Sequence, residues 1–124
     1  MFDFDAPDTS KYVHLDRVGQ VPLEFDGWLL AQESSHPGVD GPLRWSEVRI
    51  WRTVAGMWIV ETLGKSTHPG EVTRQRVTVT YDPEGVFDAL KHPGSGRVQG
   101  NFYDALVEAA RHDPGLRPAL VERV

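Results

Sequence analysis

Three histidines in this chain stand directly before Pro-Gly: His36, His68 and His92. The stretch His112-Asp113-Pro114-Gly115 is a close variant. Imidazole is the commonest metal ligand, and three imidazoles form the ligand set of an open metal site that keeps a position for water or substrate. In an antiparallel meander the loops carrying His36 and His68 lie at one end of the sheet, and a helix returning from the last strand brings His92 toward them. The spacing argues the other way. There is no HxH or HxxxH pair, no acidic residue stands at a ligand-like distance, and a Pro-Gly step makes a turn whatever precedes it. The expectation is that His36, His68 and His92 form no metal site and that the chain carries no cofactor.

A second constellation interleaves arginine with tryptophan. Arg44, Arg49 and Arg52 alternate with Trp45, Trp51 and Trp58, the combination with which single-stranded nucleic-acid platforms stack bases and neutralise phosphates. The competing assignment is architectural: tryptophans on a central hairpin fill a core, and the arginines lie over them or pair with Glu47 and Glu61. Charge favours the second. The net charge is −5, made of −6 over residues 1–40, +3 over 41–81 and −2 over 82–124. Bulk electrostatic binding of nucleic acid needs a clearly basic domain.

Other catalytic patterns are weaker. Ser34 and Ser35 beside His36 have no GxSxG elbow to present a nucleophile. Glu47 and Glu61 are a carboxylate pair, but Arg49 is the natural partner of Glu61, which makes an ion pair of it. Gly94-Ser95-Gly96 with Gly100 follows a helix, and its third glycine falls one residue late for a dinucleotide fingerprint. It reads as a connector.

The element that must position these residues is the stretch from Arg44 to Gly64. Two runs rich in β-branched and aromatic residues flank Val54-Ala55-Gly56, and Gly56 suits the left-handed position of a three-residue hairpin loop. The register then pairs Thr53 with Met57, Trp51 with Ile59, Ile50 with Val60 and Arg49 with Glu61. Both faces carry apolar residues: Trp45, Trp51, Ile59 and Leu63 on one, Val48, Ile50, Trp58 and Val60 on the other. Such a hairpin belongs in the middle of a sheet.

Around it, Tyr12–Val18 reads as a first strand, Gly19–Pro22 as a turn, and Leu23–Ala31 as a second strand with a bulge at Asp26-Gly27. Ser34–Pro42 is a loop. Arg76–Tyr81 alternates as a strand at or near a sheet edge. Beyond it the period changes from two to about 3.6. Asp82-Pro83 starts one helix, which His92-Pro93-Gly94 ends. Asn101 is placed to cap a second, and Asp113-Pro114-Gly115 stops it.

The fold class expected is α+β: an antiparallel meander of about five strands, followed by two to three C-terminal helices packed on one face, as a single domain over residues 11–124. Residues 1–10 read as a flexible acidic arm with Phe2 and Phe4 as anchors. The chain lacks cysteine, which excludes disulfides, thiolate metal sites and a thiol nucleophile, and fits the cytoplasm. No apolar run approaches the length of a membrane span.

The order FDGWLL, then VRIWRTVAGMWIV, then a Val/Thr strand and a short helix is similar to the C-terminal part of small actinobacterial EXLDI proteins. The resemblance covers residues 25–90. The N-terminal ribbon-helix-like segment and the closing acidic tail of that family have no counterpart here, and the resemblance transfers no function and no functional residue.

With helices on one sheet face, the second face is left bulky and apolar, and exposed apolar patches of that kind mark interfaces. The function expected is therefore non-enzymatic binding of another macromolecule, through a homodimer or a protein partner. Trp45, Arg49, Trp51, Arg52 and Trp58 are the interface candidates. Nucleic acid and membrane are not expected partners. A small metal-dependent enzyme built on His36, His68 and His92 is the first alternative, and single-stranded nucleic-acid binding by the hairpin is the second.

Overall fold

The structure, a computed structural model, describes residues 9–121. The arm expected at residues 1–10, with Phe2 and Phe4, lies almost wholly outside them. Five strands come first in the chain: β1 (Lys11–Arg17), β2 (Gln20–Ser34), β3 (Arg44–Thr53), β4 (Trp58–Ser66) and β5 (Arg74–Thr80). Two helices follow, α1 (Pro83–Leu90) and α2 (Gly100–His112), and then a 3-10 turn over Pro114–Leu120. The strands form one antiparallel meander in the order β1-β2-β3-β4-β5, so the domain is α+β with the hairpin at its centre and β5 at an edge.

The β3–β4 register follows from the loop. Gly56 lies at φ 91°, where a Cβ would collide with backbone, and the Thr53 and Gly56 N–H groups close the turn on Met57 O and Thr53 O at 2.8 and 2.9 Å. From there Trp51 stands opposite Ile59, Ile50 opposite Val60 and Arg49 opposite Glu61.

Alternation then divides the strands between two cores. Val48, Ile50, Trp58 and Val60 face the helices and pack with Leu30 and Ala31 of β2 against Val86, Leu90, Leu106, Ala109 and Leu116. Each fully buried Ile, Leu or Val contributes about 1.5–3 kcal/mol. The bulge of β2 lies between Leu29 and Ala31 and turns two successive residues into this core; it is not at Asp26-Gly27 as the sequence suggested. Gly27 pairs regularly with Thr53, and its glycine identity answers to a close approach: an added Cβ would sit 2.4 Å from the carbonyl oxygen of Arg52.

The second face is not left bare. Residues 20–26 of β2 pair only with β1, and this ribbon curls over the sheet. Leu15, Trp51 and Ile59 make a second buried cluster, with Val13, Leu23, Phe25 and Val77 packed around it. The Phe25 ring meets Trp51 edge-on at 5.8 Å. Gln75 of β5 fastens the tip of the ribbon, accepting from the Val18 N–H at 2.9 Å and donating to Asp16 O at 2.8 Å. The expectation of a wholly exposed apolar face is thereby corrected. Trp51 and Ile59 are covered by the chain's own first two strands, because β2 is long enough to serve two partners.

Both helix starts differ in detail from simple capping. Asp82 is the N-cap of α1 with Pro83 at its first turn, but its side chain makes no capping bond. The cap of α2 is Gln99, not Asn101. The Asn101 side chain reaches the sheet instead, accepting from Ser46 Oγ and donating to Ser46 O, both at 3.1 Å.

Candidate functional site

Trp45, Glu47 and Arg49 occupy alternate positions of β3 and so share the second face. The register sets Lys65 opposite Trp45, Leu63 opposite Glu47 and Glu61 opposite Arg49. These residues line the half of that face beyond the β1–β2 ribbon. Every charge here has a fixed partner. Glu47 accepts from the Trp45 indole N–H at 2.8 Å and lies 3.3 Å from Lys65 Nζ. Arg49 donates to Glu61 Oε1 through Nε at 2.8 Å and Nη2 at 2.5 Å, and its guanidinium lies 4.8 Å from the Trp51 ring centroid. Gln75 Nε2 donates to Glu61 Oε2 at 2.8 Å, so one side chain both closes the ribbon and fixes the carboxylate.

The electrostatics follow from these contacts. The Trp45 indole hydrogen bond, helped by Lys65 and Arg49, holds the Glu47 carboxyl below its usual range. A carboxylate stabilised in this way is an acceptor and a charge, not a proton donor. Glu61 is buried, at 2% exposure, whereas the Arg49 side chain is 36% exposed and presents its outer face to solvent. Trp45 is half-buried, and the His36 ring stands edge-on to it at 4.6 Å. What results is an amphipathic surface with an aromatic centre and a rim of pre-paired charges, held on rigid strands.

The other interface candidates lie elsewhere. Trp51, Arg52 and Trp58 are buried: Trp51 lies under the ribbon, and the other two face the helices. Arg52 Nη1 donates to Asp113 Oδ2 at 2.6 Å, Trp58 Nε1 donates to the same oxygen at 2.9 Å, and the guanidinium lies 4.2 Å from the Trp58 ring centroid. Asp113 is fully buried and accepts the Gly115 N–H with its other oxygen at 3.0 Å. This clamp joins β3 and β4 to the end of α2. The third arginine of the hairpin, Arg44, makes a two-pronged contact with Glu71, which also accepts from Ser66 Oγ. Arg44, then Ser66, hold the Glu71 carboxyl down to about 2. Each of the three hairpin arginines is thus engaged by a carboxylate.

The histidines serve their own turns. His36 Nδ1 accepts the Gly38 N–H at 2.8 Å and His92 Nδ1 accepts the Gly94 N–H at 3.0 Å, the same geometry by which Asp113 accepts from Gly115. In X-Pro-Gly the side chain of X thus caps the N–H two residues on, the role Asn and Asp take in Asx-turns. His68 is fixed by its backbone, its N–H donating to Ser66 Oγ at 3.0 Å. Among the described residues no group of three His, Cys, Asp or Glu side chains is arranged to hold a metal ion, so His36, His68 and His92 are not brought together as ligands.

Lys65 and Gln75 were not singled out from the sequence, and Asp113 only as a turn residue that stops a helix. Extending the hairpin register to its open end would have placed Lys65 beside Trp45 and diagonal to Glu47, whereas Gln75 carries no local signal and the Asp-Pro-Gly turn does not reveal that Asp113 reaches Arg52 and Trp58. A separate groove of about 860 Å³ lies on the helical layer, lined by Phe87, Val98, Tyr103, Leu106, Pro118 and Leu120 among others. It contains none of the candidates. No helix among the described residues is long and apolar enough to cross a membrane. No protein-family model matches this chain, and no curated protein or solved structure shows significant similarity to it.

Proposed function

We propose that this chain is a non-enzymatic binding domain that recognises a protein partner through the uncovered half of its second sheet face. The observation that carries this reading is the pairing of half-buried Trp45 with the Arg49–Glu61 and Lys65–Glu47 contacts around it. An aromatic anchor and an arginine inside a polar rim is the make-up of an interaction hot spot. The charges are already paired and held by β3 and β4, so little side-chain freedom is lost when a partner docks. Exposed Leu29 on the adjoining strand extends the apolar part of the surface. Because the chain lacks cysteine, a reducing compartment suits it, and the cytoplasm is the setting we assign.

The test uses the purified chain as bait beside Trp45→Ala and Arg49→Ala variants whose circular dichroism matches the wild type. A protein retained by the wild type is then purified and titrated against all three. Saturable one-to-one binding that weakens by tenfold or more in both variants supports the reading. Equal affinity for all three removes it.

A further inference from the structure

We propose that the chain forms a homodimer by antiparallel pairing of two β5 strands, a surface separate from the Trp45 face. β5 is the last strand of the sheet, and among the described residues no backbone group of another element bonds to its outer edge. An edge of that kind is a template for a further strand. Its sequence, RQRVTVT, contains no proline, and its register with β4 has no bulge. The side chains decide which strand fits.

Arg74 and Arg76 open the strand, and Asp82 and Glu84 follow its end. All four are exposed, and none makes an ion pair among the described residues. Arg74 and Arg76 pair with Gly64 and Thr62, on the face where Trp58 and Val60 meet the helices. They therefore project on the side from which α1 departs. Two copies of β5 paired antiparallel about Val77 set Arg76 opposite Thr78 and Arg74 opposite Thr80, so no like charges face one another. The same register carries the arginines of each copy toward Asp82 and Glu84 of the other. Parallel pairing, or a strand with a basic end at that position, would bring like charges together. On the opposite face Val79, 39% exposed, comes to lie opposite Gln75 of the second copy. The basic start and acidic end of the segment thus select a second copy of this chain over an arbitrary strand, and the twofold axis repeats every contact.

Sedimentation equilibrium of the full chain, over a concentration series at low salt, tests this with charge reversals at residues that make no ion pair within a single copy among the described residues. The wild type is expected to dimerise, and both Arg74→Glu and Glu84→Lys to weaken the dimer about tenfold. The double variant Arg74→Glu/Glu84→Lys should recover to within a few-fold of the wild type. Circular dichroism of each variant establishes that the fold is intact. A wild type that stays monomeric at the highest attainable concentration overturns the proposal. So does a dimer indifferent to both single reversals, or a double variant no tighter than the singles.

Discussion

Replacing Asp113 by alanine should be the most damaging single change in this protein. The Asp113 carboxylate is fully buried and takes one hydrogen bond each from the Arg52 guanidinium, the Trp58 indole and the Gly115 N–H, at 2.6, 2.9 and 3.0 Å. Arg52 is itself only 6% exposed. Alanine removes all three acceptor contacts and takes the Asp113 carboxylate away from a buried guanidinium, a change that costs about 3–5 kcal/mol. For a chain of 124 residues the entropy of unfolding is about 0.26 kcal/mol per degree, so the melting temperature should fall by about 12–19 °C. Guanidinium chloride titration, followed by tryptophan fluorescence, measures the free energy directly. Arg52→Met alone should cost a similar amount by stranding the carboxylate, and the double variant Arg52→Met/Asp113→Ala well under the sum of the two. A loss below about 1 kcal/mol in Asp113→Ala, or strict additivity in the double variant, would refute the description of this pair as a coupled clamp.

Gln75→Ala removes the two bonds that fasten the ribbon tip and the one to Glu61. It should cost about 2–3 kcal/mol at roughly 1 kcal/mol per bond, and amide exchange at Val18 should quicken before global unfolding; unchanged exchange there would mean that the apolar cluster alone holds the ribbon. Gly27→Ala should destabilise by about 1–3 kcal/mol in a thermal melt, because its Cβ meets backbone rather than a side chain that can move; a neutral result would show that the strand can shift. Glu71 titrates at about 2 in the folded chain, well below the ordinary carboxylate range of about 4.3. Its stabilisation is therefore complete above that range and lost as pH falls through about 2, so amide exchange in the loop between β4 and β5 should stay slow at pH 4, and Glu71→Gln should loosen that loop at neutral pH. Release of the loop near pH 4 in the wild type would contradict the Arg44 latch.

The central hairpin was legible because its determinants are local. One glycine at the left-handed position fixes the loop, and the loop fixes every pair from Thr53 outward, including Arg49 with Glu61. The strand-to-helix order was legible for the same reason, from the change of period after Tyr81. What sequence could not give was the destination of the second apolar face. Trp51 and Ile59 alternate correctly for an exposed patch and equally well for a second core, and the difference lies in Leu15, Leu23 and Phe25, which reach them only because β2 outruns β3. Asp26-Gly27 signalled a bulge, yet the glycine serves a close approach to Arg52 and the bulge falls three residues later. The interface candidates divided on the same point: Trp45 and Arg49 lie beyond the ribbon, and Trp51 beneath it. Arg52 and Asp113 are 61 positions apart, and the Asp-Pro-Gly step that stops α2 also delivers a buried counter-ion. The His-Pro-Gly repeats have the residue type of metal ligands, while the His36 and His92 side chains do the turn work that asparagine and aspartate do elsewhere.

The place where a partner touches the sheet tests the proposed binding face most directly. Amide hydrogen exchange of the chain alone and with saturating partner, obtained through Trp45-dependent capture, locates that contact residue by residue. The expected footprint is slowed exchange across Trp45–Arg49 of β3 and Leu63–Lys65 of β4, with the ribbon strands β1 and the first half of β2 unchanged. Slowing confined to the groove between α1 and the terminal 3-10 turn, with β3 and β4 unaffected, would contradict it.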